Sequence, residues 1–215
     1  MAKQEIPRKA VYRLSLYLRV LNQLVRNGIQ TVSSEALAKA AGVKPTQLRK
    51  DLAYFGQLGT RGLGYNVDLL TAKLTEVLGA ARLQPVVLVG VGHLGAALVR
   101  YRGFQKEGFE ILAGFDMDAD RQRAADLGLQ VLPMSRLDGF VKERKVKLAI
   151  LTVPVTVAQE VANELVQAGI RAILNFAPTI LQVPDGVTVN NVDLAIELEN
   201  LSYFIPQTDA TADEN

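Results

Sequence analysis

The stretch VVLVGVGHLGAALV, residues 86–99, decides the fold, because an apolar run in it ends at a glycine motif and an apolar helical pattern follows. Its glycines, Gly90, Gly92 and Gly95, have the spacing G-x-G-x-x-G. In such a motif the first glycine allows a tight turn, the second lets the backbone approach a pyrophosphate, and the third lets helix and strand pack closely. The stretch therefore predicts a strand, a phosphate-binding loop and a helix whose N-terminus points at the phosphates.

Apolar runs of strand length alternate with helical patterns from Pro85 onward. The predicted buried strands are PVVLVG, EILAGFD, LQVLP, KLAILTVP and RAILNFAP, with TVNNVD as a further candidate. Strands that alternate with helices in this way form a parallel sheet with right-handed crossovers. The sequence predicts an α/β fold in this part of the chain, a doubly wound parallel sheet of the Rossmann type.

An acidic residue follows the glycine motif at the distance that a dinucleotide site requires. The second predicted strand ends in Phe115 and Asp116, and Asp116 lies 21 residues beyond Gly95. A carboxylate at this position accepts hydrogen bonds from the hydroxyls of the adenosine ribose and disfavours a 2′-phosphate. The predicted cofactor is therefore NADH or NAD⁺ rather than a form phosphorylated on that ribose.

His93, the only histidine of the chain, bears on whether the protein is an enzyme. It lies between the second and third glycines of the motif, where a side chain faces phosphate or solvent, whereas a base for hydride transfer belongs beside the nicotinamide. The chain also has no cysteine and no Tyr-x-x-x-Lys spacing. We therefore predict no catalytic residue, no metal site and a cofactor that is bound without turnover.

Residues 1–82 have a different pattern, which predicts four helices and a hairpin. The first helix has an apolar stripe at helical spacing: Val11, Leu14, Leu18, Leu21 and Val25. SEALAKAA and PTQLRKDLAYF predict two helices joined by a short turn at Gly42, which together make a helix-turn-helix unit. GQLGTRGLGY, with four glycines in ten residues, predicts a tight hairpin, and DLLTAKLTEVLGAA predicts the fourth helix.

The second helix of that unit has a basic outer face. Its core side is predicted to hold Leu48, Leu52 and Phe55, with Asp51 nearby as a structural partner. Guanidinium groups suit guanine edges and ammonium groups suit phosphates, so the outer face predicts contacts with a DNA major groove. The predicted contacts are Thr46, Arg49 and Lys50, with Gln47 at the margin of the face and Lys44 at the helix start.

The charge of the chain is unevenly distributed. Residues 1–82 hold 13 Lys and Arg against 5 Asp and Glu, a net charge of +8, whereas residues 83–215 have a net charge of −6. A basic N-terminal part indicates an anionic partner for that part alone, the alternative being a solvated basic face. Arg61, between flexible residues in the TRG sequence of the hairpin, suits insertion into a narrow minor groove.

The two ends of the chain give further predictions. Residues 193–205 predict a separate helix with Leu194, Leu198, Leu201 and Ile205 on one stripe. The acidic residues 207–215 are predicted to be disordered. The N-terminus lacks the apolar core of a signal peptide, and no run of about 18 apolar residues could span a membrane. We therefore expect a cytoplasmic protein with no membrane partner.

Five blocks of this sequence, in order, resemble the Rex family of redox-sensing transcriptional repressors. The blocks are RKDLAYFG-x-x-GTRG-x-GY, GVGHLG, LTVP, NFAP and NVDLAIELENLSYF. The resemblance covers roughly residues 8–205. It implies a winged-helix DNA-binding domain over 1–82, a Rossmann domain for NADH and NAD⁺ over 83–192, and a C-terminal helix over 193–206 that is swapped between the subunits of a homodimer.

The resemblance also implies roles for individual residues. Arg49, Lys50 and Arg61 would contact DNA, and Arg19 and Asp193 would link the DNA-binding domain to the swapped helix. The implied cofactor contacts are Gly90, Val91, Gly92, His93, Leu94 and Gly95 at the pyrophosphate, Asp116 at the adenosine ribose, and Tyr101 near the nicotinamide. Thr152, Pro154 and Asn175, the last with the rest of its turn over residues 175–178, end strands at the carboxyl edge of the sheet, where the crevice lies. Such a protein binds an inverted-repeat operator in double-stranded DNA and leaves it when NADH rises.

Two other functions remain open at the level of the sequence. One is a nicotinamide-dependent oxidoreductase with an accessory basic domain, which would turn over NADH with a small carbonyl compound. The other is a winged-helix regulator that senses a different nucleotide, such as coenzyme A, and does not distinguish NADH from NAD⁺.

Overall fold

A computed structural model describes residues 6–60, 62–118 and 128–205 of the 215-residue chain. The chain divides into two compact units, Met1–Arg82 and Leu83–Asn215. Arg61 and residues 207–215, for which the sequence gives predictions, lie outside the described residues.

The N-terminal unit contains the predicted helices and hairpin. Its helices are α1 (Arg8–Arg26), α2 (Ser34–Ala40), α3 (Pro45–Ala53) and α4 (Val67–Leu78). Its antiparallel sheet has the order β1-β3-β2, formed by β1 (Thr31–Val32), β2 (Gly59–Thr60) and β3 (Gly64–Asn66). Ser33 caps α2 by accepting a hydrogen bond from the Ala36 N–H at 3.1 Å, and Pro45 begins α3 where no backbone donor is needed. The helix-turn-helix followed by a small sheet is a winged-helix arrangement.

The buried face of α1 differs from the predicted stripe. Val11 and Val25 are 39% and 41% exposed, whereas Tyr17 is fully buried. The residues of α1 that the core covers are Ala10, Leu14, Tyr17, Leu18 and Leu21. Val11 and Val25, at the two ends of the stripe, lie outside this buried face, whereas Tyr17 is part of it and its hydroxyl donates a hydrogen bond to Asp51.

The second unit is built on a six-stranded sheet in which every neighbouring pair is parallel. The strands are β4 (Gln84–Val89), β5 (Phe109–Asp116), β6 (Val131–Pro133), β7 (Leu148–Leu151), β8 (Ala172–Asn175) and β9 (Thr188–Asn191). Their order is β6-β5-β4-β7-β8-β9, so the chain reverses its direction of winding between β4 and β7. In open α/β sheets ligands bind at this switch point, outside the carboxyl ends of the strands.

Helices cover the sheet and close its core. They are α5 (His93–Arg100), α6 (Gly103–Lys106), α7 (Leu137–Arg144) and α8 (Val155–Ala168). Residues of α7 and α8 share one buried cluster with strand residues such as Val89 and Phe115. A smaller cluster, centred on Val86, Leu88 and Ile150, lies with the partly buried Leu98 of α5. The predicted doubly wound parallel sheet is confirmed.

The predicted C-terminal helix is present as α9 (Leu194–Ser202). None of its residues is buried, and its apolar side chains are more than half exposed. The exchange of α9 between two subunits stays a prediction. Among the residues that the structure describes, no helix has the length and apolar character needed to cross a bilayer.

Candidate nucleotide site and nucleic-acid interface

The glycine motif folds back on itself at the carboxyl end of β4. Gly90 has a φ of +94°, and a Cβ there would lie 2.7 Å from the Thr152 carbonyl oxygen, so only glycine fits. A Cβ at Gly95 would collide with the Gly90 carbonyl oxygen, which explains how the third glycine lets α5 pack against the loop. A Cβ at Gly92 would meet no described atom within 4 Å, so the middle of the loop faces open space.

Thr152 holds the loop in place from the end of the adjacent strand β7. Its Oγ1 donates to the Gly90 carbonyl at 2.7 Å, with the Val89 carbonyl 3.1 Å away. Its backbone N–H also donates to the Val89 carbonyl, at 2.9 Å. These contacts fix the conformation of the loop that a phosphate would meet.

Asp116, at the end of β5, also touches the loop. Its Oδ2 accepts a hydrogen bond from the Val91 N–H at 2.7 Å, and its Oδ1 accepts one from the Asp118 N–H at 3.0 Å. The carboxylate is therefore fixed beside the glycine motif before any ligand arrives. This is the place from which a carboxylate reaches an adenosine ribose in a dinucleotide fold.

A cleft of about 530 Å³ lies at the switch point of the sheet. Six of the predicted cofactor residues line it: Gly90, Gly92, Leu94, Asp116, Thr152 and Pro154. Its volume is within the range of small-molecule sites, roughly 300–1,000 Å³. Loop N–H groups, one carboxylate and apolar walls make a site that fits a dinucleotide.

Phe176, in the turn over residues 175–178 that the sequence analysis places in the crevice, also lines the cleft. The sequence analysis did not identify five other lining residues: Met117, Met134, Val153, Val157 and Val161. Met117, Met134 and Val153 come one or two residues after a strand, so the rule that ligands bind at the carboxyl ends of parallel strands could have found these three as well.

Five predicted cofactor residues do not line this cleft. Val91 is buried, and Gly95 packs against the loop. His93 is the exposed first residue of α5. Tyr101, at the end of α5, is 59% exposed, with its ring edge-on to Phe104 at a centroid distance of 5.1 Å. Direct contact of these residues with a ligand stays a prediction.

Asn175, the fifth, is completely buried at the end of β8. Its Nδ2 donates to the Ala177 carbonyl, the Thr179 carbonyl and the Asn191 Oδ1, at 2.9–3.1 Å. Its Oδ1 accepts from the Ala177 N–H at 2.9 Å. The side chain therefore organises the loop after β8, which carries the cleft residue Phe176.

The predicted interdomain residues lie in different units. Arg19 is on the exposed surface of α1. Asp193 caps α9, where its Oδ1 accepts hydrogen bonds from the N–H groups of Ala195 and Ile196 at 3.0 and 3.3 Å. Their pairing across a dimer stays a prediction.

The helix α3 presents a basic face to solvent, as the sequence indicates. Lys44, Thr46, Arg49 and Lys50 are exposed, whereas Leu48 and Leu52 are buried. Gln47 differs from the others, because it is half-buried and its Nε2 donates to Asp51 Oδ1 at 2.8 Å. The structure thus brings four of the predicted DNA contacts onto one open surface and gives Gln47 an internal partner.

Asp51 anchors α3 to α1. Its carboxylate, 1% exposed, accepts hydrogen bonds from Arg13 Nε and Nη2 at 2.6 and 2.7 Å and from the Tyr17 hydroxyl at 2.8 Å. Burial alone would raise the pKa of Asp51, but the hydrogen bonds from Arg13, Tyr17 and Gln47 outweigh it and leave that pKa below its ordinary value. Burial, followed by the hydrogen bond to Asp51, raises the pKa of Tyr17.

Comparison with known proteins agrees with the two-unit architecture. A family model described as "Putative DNA-binding protein N-terminus" matches residues 5–53, and one described as "CoA binding domain" matches residues 82–179. The Redox-sensing transcriptional repressor Rex of Desulfitobacterium hafniense is 46% identical over 205 residues, which is 95% of this chain and 98% of that protein.

Solved structures of a Rex-family repressor are similar over the same extent. The match to the crystal structure of RSP in complex with β-NAD⁺ and operator DNA has a TM-score of 0.84 at 35% identity, and it covers 93% of this chain and 92% of the RSP chain. The match to RSP in complex with β-NADH has a TM-score of 0.80 at 35% identity, and it covers 92% of this chain and 93% of the RSP chain. With both units matched in order and with relatives well above the identity at which family membership is secure, this chain belongs to the Rex family of redox-sensing transcriptional repressors.

Proposed function

We propose that this protein represses transcription by binding an operator through α3 and the β2–β3 hairpin, and that NADH in the cleft of the second unit releases it from DNA. The observation that carries the proposal is the presence of both halves in one chain. An exposed basic recognition helix lies in a unit of net charge +8, and a dinucleotide cleft lies at the switch point of a parallel sheet. The similarity to RSP, which has been solved with NAD⁺ and operator DNA and with NADH, supports it.

In the DNA-bound state, Arg49 and Lys50 would reach base edges and phosphates of a major groove, with Thr46 and Lys44 near the backbone. Arg61 would enter the adjacent minor groove. A homodimer places two recognition helices about 34–36 Å apart, so the operator is an inverted repeat. A DNA partner of this kind supports a cytoplasmic location.

In the cofactor site, the loop over residues 90–95 and the N-terminus of α5 would hold the pyrophosphate, and Asp116 the adenosine ribose. Pro154 would line the crevice and Tyr101 would lie near the nicotinamide. Thr152 and Asn175 act through the backbone, because their side chains fix the loops after β4 and β8. The oxidised nicotinamide carries a positive charge that an apolar wall disfavours, whereas the reduced ring is neutral.

The helix α9 supports a dimer. Leu194, Leu198 and Leu201, on one stripe of the helix, are 61–67% exposed, and an apolar face of this kind is typical of a surface that another chain covers. Packing of α9 against the partner subunit, with Asp193 directed to Arg19 of that subunit's DNA-binding unit, would link cofactor binding to the position of the recognition helices.

The required effect is larger than a typical allosteric coupling of about 1–3 kcal/mol. Reversing a 99:1 preference for the DNA-binding state needs about 5.5 kcal/mol of differential affinity. NADH and NAD⁺ differ only in the oxidation state of the nicotinamide. Most of the difference between their effects on DNA binding therefore has to arise at that ring. No catalytic group is needed for this function, and the relatives are repressors.

The proposal is tested by fluorescence anisotropy on a labelled duplex that the protein itself has selected from a random pool. Increasing NADH should release the duplex at concentrations at which NAD⁺ and coenzyme A do not. Release by coenzyme A instead, or equally by NADH and NAD⁺, would identify a regulator that senses another nucleotide. Continuous loss of NADH absorbance with a small carbonyl compound would indicate an oxidoreductase.

A further inference from the structure

Arg49 of the recognition helix is held by the first turn of α2. Its Nη1 donates to Ser34 Oγ at 3.0 Å and lies 3.4 Å from Glu35 Oε1. Ser34 Oγ in turn donates to the same Glu35 oxygen at 3.2 Å. These three residues, Ser34, Glu35 and Arg49, form a closed group on the outer surface of the helix-turn-helix, which we call the Arg49 cluster.

The cluster leaves the reading edge of Arg49 open. Both contacts use Nη1, and within the described part of the chain no hydrogen bond occupies Nε or Nη2. An arginine recognises guanine through two parallel N–H groups directed at O6 and N7. Because a guanidinium is planar, holding one nitrogen restricts the plane of the whole group while other donors remain free for a base.

Glu35 also places a negative charge where DNA would approach. Its side chain is 69% exposed, and it is one of only five acidic residues in the basic N-terminal part of the chain. A hydrogen bond from its own backbone N–H, followed by one from Ser34, lowers the pKa of Glu35, and a glutamate with an ordinary pKa is already ionised at neutral pH. A carboxylate there repels the phosphates of any duplex, whatever its sequence.

We propose that Glu35 is a specificity-determining residue: it orients Arg49 for a base contact and weakens binding to duplexes that do not offer that contact. On the correct sequence the oriented arginine compensates for the repulsion, and on other sequences the repulsion remains. This inference rests on the proposed DNA-binding function, and it makes Glu35 a positioning residue that acts through Arg49.

The test compares Glu35→Gln with Glu76→Gln in the full-length chain. Glu76 is an exposed carboxylate of the same unit, paired with Lys73 on α4 at 2.9 Å, so both substitutions remove one negative charge from an exposed ion pair. Each variant is titrated against the selected duplex and a shuffled duplex of equal length and composition. The measured quantity is the ratio of the two affinities at a fixed salt concentration.

We expect Glu35→Gln to bind the shuffled duplex more tightly and to lower the affinity ratio by about five-fold, the low end of what one well-placed arginine–guanine contact contributes. Glu76→Gln should leave the ratio unchanged, because a general change of charge acts on both duplexes alike. Ser34→Ala, which keeps the carboxylate but removes the bridging hydroxyl, should lower the ratio by a smaller factor. The melting temperature of each variant shows that it is folded.

Equal ratios in Glu35→Gln and Glu76→Gln would overturn the role of Glu35 while leaving the repressor function intact. A wild-type protein that does not prefer the selected duplex would instead contradict the proposed function, and the inference with it. The two failures are therefore distinguished by the wild-type measurement alone.

Discussion

Asp51 and Gln47, four residues apart on the recognition helix, are joined by a hydrogen bond of 2.8 Å from Gln47 Nε2 to Asp51 Oδ1. The same carboxylate accepts two hydrogen bonds from Arg13 of α1. A residue at the margin of the predicted DNA-binding surface is thus tied to the contact that fixes α3 in its domain. The position of the helix and the conformation of one predicted reading residue therefore depend on one ionised group.

The first prediction concerns acid stability. The folded pKa of Asp51 lies below its unfolded value, so the carboxylate stabilises the fold above the unfolded pKa, about 3.9, and that contribution is lost as pH falls through the folded pKa. Asp51→Asn should reduce the free energy of unfolding of the N-terminal unit by about 3 kcal/mol at pH 7, because it breaks a buried ion pair. The same substitution should remove part of the decline in stability below pH 4.

Urea unfolding at a series of pH values measures both effects. Asp138→Asn is the control, because Asp138 forms an exposed i,i+4 pair with Lys142, and such pairs contribute little to stability. An Asp51→Asn variant as stable at pH 7 as the Asp138→Asn variant would show that the buried network does not hold α3 to α1.

The second prediction separates the roles of the glycines in the motif. Gly95→Ala should destabilise the second unit, because its Cβ would collide with the Gly90 carbonyl and lie 3.0 Å from Thr152 Oγ1. Gly92→Ala meets open space and should leave stability unchanged, yet it should weaken NADH binding if the backbone there approaches a pyrophosphate.

Thermal unfolding and an NADH titration followed by fluorescence distinguish the two variants. Gly139→Ala on α7, another position with no described atom near the added Cβ, is the control: it should leave NADH affinity unchanged and raise stability by up to about 1 kcal/mol, because alanine favours a helix more than glycine does. Unchanged NADH affinity in Gly92→Ala would mean that the cofactor does not lie against this loop.

The glycine motif could be predicted from sequence because its constraint is local: Gly90 and Gly95 must lack a Cβ for the turn to close and for α5 to pack against it. The hydrogen bond from Gln47 to Asp51 could not be predicted in this way. The position of Asp51 is fixed by Arg13, which lies 38 residues away from it in sequence. Val157 and Val161 reach the cleft from within α8, and the rule for strand ends does not select residues of a helix. Thr31–Val32 forms a strand only through its pairing with β3, and two residues are too few for a strand pattern.

The third prediction concerns Arg61, which the sequence assigns to a minor groove. Arg61→Ala should weaken binding to the selected duplex and reduce the slope of log affinity against log salt by about 1, since one fewer cation replaces counterions on the DNA. Arg144→Ala, on α7, removes the same charge from the other unit and is the control. A salt slope that Arg61→Ala leaves at the wild-type value would exclude the hairpin from the DNA interface.

The fourth prediction concerns Asp116, whose carboxylate is already bound to the Val91 N–H. Asp116→Ala removes both the proposed ribose contact and this support of the glycine loop, so NADH should release DNA only at higher concentration, while binding to the operator without NADH is retained. Asp116→Asn keeps an oxygen for the Val91 N–H but removes the charge that disfavours a 2′-phosphate. We therefore expect Asp116→Asn to reduce the preference for NADH over NADPH by a larger factor than it reduces the affinity for NADH. Titrating DNA release with each cofactor measures this preference, and a variant that keeps the wild-type response to both would show that Asp116 supports the loop without meeting the ribose.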